Sequence, residues 1–241
     1  MEILSVVARH NESTYTNFYE NTIKKWNIKT INVADQQPPI KTIVEKYNIG
    51  VNAMKENNLM TPNDIIIFAH EDVNVIDGVM IDKIKMLFES KPSVGVMGVV
   101  GITSTGPDAK KYGQFIVGDP KTIGKGNHVT IGSVGFFDDA LYVDDFFFVA
   151  RSEIFYKGIS FEGTADTYIM DFCMKCLESS YKIAVADIMT VHASVRRTMP
   201  EYNDVTQAAV NELHAKYPKY PAPINSLDVY SQSTELISVE I

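Results

Sequence analysis

The residues best placed to do chemistry stand in a row, His70-Glu71-Asp72, at the end of the apolar run Ile65-Ile66-Ile67-Phe68-Ala69. A carboxylate just past a buried strand suits a hard divalent cation, whose remaining positions take phosphate oxygens. Such a cation neutralises charge on a departing diphosphate. The same triplet also reads as the start of a solvated loop, and spacing alone leaves both readings open. His192, directly after the apolar stretch Ile183 to Val191, is the second candidate ligand. Asp144, Asp145, Asp166 and Asp171 supply acids in the second half of the chain. Taking a proton from a hydroxyl needs a carboxylate or imidazole within hydrogen-bond reach. Asp171 falls in the first turns of a helix, a place that equally suits an acid complementing the helix dipole.

These residues need elements to carry them. Glu2 to Ala8 reads as a strand that stops at Arg9-His10-Asn11-Glu12, followed by a helix over Thr14 to Lys25. Lys29 to Ala34 is a second strand, closed by Asp35 and the Pro38-Pro39 break. Ile43, Val44, Tyr47, Val51 and Met54 recur at helical spacing within Thr42 to Asn57. The run from Ile65 then has the continuous apolar character of a parallel strand buried on both faces. Alternating strand and helix predicts a doubly wound α/β sheet, in which ligands bind beyond the carboxyl ends of the strands. Arg9 to Glu12, Asp35 and His70 to Asp72 all fall at those ends. Further on, the pattern predicts a helix over Met80 to Ser90, a strand over Val94 to Gly101 and irregular chain over Thr103 to Gly135. It then predicts a strand over Ala140 to Ala150, a helix over Asp166 to Ser179 and a strand over Lys182 to Val191. Residues 1–199 form one domain on this reading, and 200–241 add a helix (Asp204 to Lys216) and a proline-rich arm packed on it.

Bulk properties narrow the class. A chain of 241 residues buries a core without disulfides, and 45% hydrophobic and 22% charged residues are ordinary for a globular protein. The net charge of −8 argues against a general grip on nucleic acid. The loop holding Lys110, Lys111, Lys121, Lys125 and His128 leans locally the other way. No apolar run approaches the ~20 residues of a membrane span, and the start lacks the basic and small-residue marks of a signal peptide, so cytoplasmic residence is expected. Cys173 and Cys176 share the apolar face of a helix with Tyr168, Phe172 and Leu177, which predicts core packing rather than redox or zinc chemistry. No G-x-x-x-x-G-K-[ST], G-x-G-x-x-G or G-x-S-x-G occurs.

Read together, the run from Ile3 to Ser194 resembles the GT-A fold glycosyltransferases, in a glycosyltransferase-like branch related to the inverting family two. Ile3 to Glu12 is similar to that family's opening strand and turn, and Tyr47-Asn48-Ile49-Gly50 to its Y-N-x-G helix motif. Ile67 to Val73 is similar to the branch's F-x-H-x-D-V, and Val143 to Arg151 to the strand lining the acceptor side. Tyr168 to Asp171 and Tyr181 to His192 resemble its Y-D-x-D helix and its closing strand and histidine. The resemblance implies a Rossmann-like, mostly parallel sheet flanked by helices. It implies a nucleotide-diphosphate sugar donor, a UDP-sugar first, contacted by Ala8, Arg9, Asn11, Glu12, Asp35, Asn48, His70 and Glu71. It further implies Mn2+ or Mg2+ at Asp72 and His192, a base at Asp171, and inversion at the sugar carbon. The implied acceptor is a saccharide or lipid-linked hydroxyl. The chain departs from the pattern at Asp145, where the family often has Gly, at Ile169, in place of an acid, and at Ser180, in place of Gly. Those departures leave Asp144 or Asp145 as alternative bases, and a binding module without turnover as an alternative function. The basic loop keeps a nucleic-acid base open as acceptor.

Overall fold

The computed structural model describes residues 1–9, 15–16, 19–34, 42–103, 110–118, 125–130, 133–164, 167–192, 202–220 and 236–240. Its first half follows the apolar periodicity. β1 (Ile3–Arg9) runs parallel to β2 (Lys29–Ala34) on one edge and to β3 (Ile65–His70) on the other. Between β2 and β3 lies α1 (Ile43–Glu56), opened by a capping box in which the Glu45 N–H donates to Thr42 Oγ1 and the Thr42 N–H donates to the Glu45 carboxylate. The Y-N-x-G residues of α1 have separable structural tasks. Tyr47 packs its ring among Phe68, Phe148, Phe161 and Tyr168. The Asn48 amide both donates to Phe161 O (2.9 Å) and accepts from Phe161 N–H (3.1 Å). Gly50 lets the helix touch β1, because a Cβ there would stand 2.3 Å from Val6 Cγ1.

After β4 (Val73–Val75) and α2 (Met80–Ser90), the main sheet is completed by β5 (Val94–Gly98), β9 (Phe137–Ala140), β11 (Phe147–Arg151) and β12 (Lys182–Val185). Its order is β2-β1-β3-β11-β5-β12-β9. β1, β2, β3, β5 and β12 run one way, and β9 and β11 run the other. The period of two divides the buried runs between two cores. Leu4, Val6, Ile66 and Phe68 face the core beneath α1, and Val7, Ile65, Ile67 and Ala69 face the one beneath α2. A second sheet, ordered β10-β6-β7-β13-β4, contains β6 (Val100–Ile102), β7 (Lys111–Gly118), β10 (Tyr142–Val143) and β13 (Thr190–His192). β8 (Lys125–Thr130) pairs with β7 and with the closing strand β14 (Leu236–Glu240).

Three stretches expected as single strands are broken, each where the chain changes sheet. Val94 to Gly101 splits between β5 and β6, helped by Gly98 and Gly101, where a Cβ would stand 2.5 Å from Val143 Cβ and 2.6 Å from Val185 Cγ2. Ala140 to Ala150 splits into β10 and β11 because Asp144 Oδ1 accepts from the Phe146 N–H (3.3 Å) and turns the chain between them. Lys182 to Val191 splits into β12 and β13. Of the helix expected over Thr14 to Lys25, residues 15–16 are α-helical and Tyr19–Ile23 is π-helical, while 14 and 17–18 lie outside the described residues; Thr22 Oγ1 accepts from the Val75 N–H (3.1 Å). Within the stretch expected to be irregular, β7 and β8 form an antiparallel pair.

Arg151, at the far end of β11 from Asp144, donates to Phe88 O, Lys91 O and Val94 O, closing the end of α2. α3 (Ser152–Tyr156) follows it, and α4 (Tyr168–Glu178) packs in the core beneath α1. Leu213, in the last turn of α5 (Tyr202–Lys216), and Tyr217 just after it lie in that same core. The proline-rich stretch 221–235 lies outside the described residues.

Cys173 and Cys176 are free, fully buried thiols on α4. Burial pushes the Cys173 thiol up to about 12 and that of Cys176 well above its usual value. At pH 8 almost no thiolate forms, and a disulfide reagent should therefore release no chromophore from the native protein. Both thiols should react after unfolding in guanidinium; prompt reaction of the folded protein would show the helix face to be open.

Candidate active site

The two sheets meet at the candidate ligands. His70 is the last residue of β3, and its N–H donates to Phe146 O (3.0 Å). Glu71 and Asp72 make the turn into β4, whose Val73 pairs with His192 of β13. Residues 120 positions apart in sequence thus converge because β4 and β13 are antiparallel neighbours. One ligand atom each from His70, Asp72 and His192 lies within 4.8 Å of the others, and the His192 Nε2 to Asp72 Oδ1 distance is 3.5 Å. Two imidazoles and a carboxylate so gathered are a fitting donor set for a divalent cation. His70 thereby joins the cluster itself, beyond the donor-contacting role the sequence implied.

Electrostatics agree with the geometry. Burial pushes the His192 imidazole down, but the Asp72 carboxylate and then Asp144 and Asp145 more than offset it, leaving a raised value. Burial likewise pushes Asp72 up, and His192 and then His70 hold it lower than usual. Asp145 stands beside the cluster, its Oδ2 3.7 Å from His70 Nε2 and its side chain 30% exposed. Burial raises its carboxyl, opposed incompletely by Asp144, His192 and Tyr168. Behind it, the buried Tyr168 hydroxyl is held well above the usual phenol range by burial and by the Asp145 charge. The rings of Phe146 and Phe115 line the His192 side of the cluster.

Residues 7–217 match the sequence model of the Glycosyltransferase like family. The chain belongs to that family. A search of curated proteins by sequence returned no match. Among solved structures it resembles the mannosyltransferase PcManGT from Pyrobaculum calidifontis in complex with GDP-Man and Mn2+. The identity is 11%, covering 96% of this chain and 68% of that one, with a TM-score of 0.56. It also matches the Drosophila β1,4-galactosyltransferase 7 mutant D211N complexed with manganese, UDP-Gal and xylobiose, at 9% identity over 85% and 74% of the two chains and a TM-score of 0.44. The fold is GT-A, and the protein is a glycosyltransferase.

In this glycosyltransferase, Ala8 sits at the carboxyl end of β1, paired in register with His70, and Arg9 follows with its guanidinium 5.5 Å from the centre of the Tyr15 ring. Glu71 is buried in the turn beside Asp72. Asn11, Glu12, Asp35 and Asp166 lie outside the described residues, as does Lys121 of the basic loop. Two expected site residues are engaged in other work. The Asn48 amide is occupied at the Phe161 backbone, as described above. Asp171 is 2% exposed and ion-paired: Oδ1 accepts from Lys216 (2.7 Å) and the Tyr217 hydroxyl (3.0 Å), and Oδ2 lies 2.8 Å from the Lys175 ammonium.

Lys46 is a functional candidate absent from the sequence reading. Fully buried on α1, it donates through Nζ to Arg9 O (2.8 Å) at the end of β1. Its signal was its place three residues after Ile43 and four before Gly50, on a face that packs inward.

The Asp72–His192 pair makes a testable statement about pH in metal-free protein. Because His192 is raised, its share of stability is present below its usual 6.5 and is lost as pH rises through the folded value. Because Asp72 is lowered, its share is present above its usual 3.8 and is lost as pH falls through the folded value. Replacing Asp72 by Asn leaves burial acting on His192 with its main opponent gone. The His192 midpoint, followed by NMR of the ring protons, should then move down; an unmoved or higher midpoint would contradict the pairing.

Proposed function

We propose that this protein is a metal-dependent, inverting glycosyltransferase that moves a sugar from a nucleotide-diphosphate donor to an acceptor hydroxyl. One observation carries the reading: His70, Asp72 and His192 converge at the carboxyl end of β3, where the fold presents a donor. Asp72, His192 and His70 would hold the cation. Two imidazoles favour Mn2+ over Mg2+, which prefers an all-oxygen shell. When bound, the cation supplies neutralisation of the charge gathering on the departing diphosphate. Ala8 and Arg9 at the carboxyl end of β1 would contact the nucleotide, and a UDP-sugar is the expected donor.

The base is Asp145. Burial raises its carboxyl toward the range that suits a base at neutral pH, and its side chain keeps access to solvent. Asp171 is committed to its lysines, and one oxygen of Asp144 holds the Phe146 backbone. As the acceptor oxygen bonds to the anomeric carbon, its proton passes to Asp145. The bond from that carbon to the diphosphate breaks on the opposite face, and the configuration inverts. A saccharide or lipid-linked hydroxyl is the expected acceptor. Among the described residues no helix is long and apolar enough to cross a membrane.

Two measurements test this. UDP-sugar hydrolysis and transfer should require added Mn2+, stop with EDTA, and fall roughly a hundredfold or more in Asp72→Ala; activity indifferent to all three would end the metal role. Asp145→Asn should lower kcat by about 10²- to 10⁴-fold with the donor KM little changed, the span expected of a lost general base. Asp171→Asn should instead lower thermal stability and retain transfer at permissive temperature. Nucleotide-sugar binding without turnover by the wild type, over a broad acceptor panel, would mark a binding module.

A further inference from the structure

We infer that Phe146 is the positioning residue for both imidazoles of the candidate metal set, holding one through its ring and the other through its backbone. The inference rests on the proposed cation site. Phe146 is fully buried between Asp145 and the start of β11. Its ring stacks on that of His192, with centroids 4.7 Å apart and planes 15° from parallel. Its carbonyl accepts the His70 N–H at 3.0 Å, fixing the point at which β3 releases that histidine. The two imidazoles stand edge to face, with centroids 6.0 Å apart. Phe146 is itself held: Asp144 Oδ1 accepts its N–H (3.3 Å), and the Asp144 N–H donates to Val100 O (3.0 Å). A bracket of Asp144 to Phe146 therefore ties β3 of the main sheet to β13 and β6 of the second.

The physical need for such a bracket is plain. An imidazole on a short strand end turns about two side-chain bonds, and a metal site binds well only when that freedom is removed beforehand. Hydrogen bonds to the distal ring nitrogen usually perform this task. Here a flat ring against a flat ring restricts the same rotation without consuming a nitrogen. The neighbouring Phe148 is equally buried but packs in the other core, on Phe68, Tyr47 and Phe161.

The test compares Phe146→Leu with Phe148→Leu. Both remove a buried ring and should lower the unfolding temperature. Mn2+ affinity, measured by electron paramagnetic resonance without donor, should fall about tenfold or more in Phe146→Leu and stay within about twofold of wild type in Phe148→Leu. In metal-free protein, the His192 ring protons should lie upfield in the NMR spectrum from the Phe146 ring current. They should move downfield in Phe146→Leu alone. Equal Mn2+ affinity in Phe146→Leu and wild type, or equal losses in the two variants, overturns the positioning role while leaving the cation site standing. A wild type that binds no Mn2+ overturns the site and the positioning role with it. If Phe146→Leu does not fold, Phe146→Tyr replaces it, keeping the stack, and its Mn2+ affinity and His192 shifts should stay close to wild type; loss of both in that variant also overturns the role.

Discussion

β3 is buried on both faces and hydrogen-bonded along both edges, to β1 and to β11, so the chain leaving it has one way to go. It turns at Glu71-Asp72 and joins the second sheet as β4. That forced exit is the constraint from which the site follows. It fixes His70 at the rim of one sheet, places Asp72 in the corner, and makes β4 the partner against which β13 delivers His192. A longer or looser connection would leave the same three side chains with no reason to meet.

The corner also sets the electrostatic character of the site. Carboxylates at Asp72, Asp144 and Asp145 crowd two imidazoles at a half-buried corner, where an opposite or polar partner beside each group offsets part of its burial. Asp72 and His192 satisfy one another. Asp145 is less well compensated, which is why its carboxyl rises while that of Asp72 falls. Two acids close together are thus driven apart in proton affinity by their neighbours, a division that suits the proposed roles of ligand and base.

The sequence made the corner legible because strand ends announce themselves. Ile65 to Ala69 is unbroken apolar residues, so the polar triplet after it could only be an exit, and the same logic located His192. What it hid were the places where a strand changes sheets. Val94 to Gly101 and Ala140 to Ala150 look continuous because both halves of each are buried, and hydropathy does not distinguish one core from another. The partners of Asp171 were hidden for a related reason. An acid early in a helix looks the same whether it faces a substrate or a lysine arriving from α5, many residues later. Asn48 belongs with it: the motif is real, but its amide serves the backbone of Phe161.

The ion pairs of Asp171 bear on where this protein could be divided. Of its three partners only Lys175 is local; Lys216 and Tyr217 come from the end of α5. Cutting the chain after residue 199 would strip a buried carboxylate of an ammonium and a hydroxyl, and would also expose the apolar surface that Leu213 and Tyr217 cover. The C-terminal helix is therefore part of the interior it covers, and a boundary drawn before it would cut through one core.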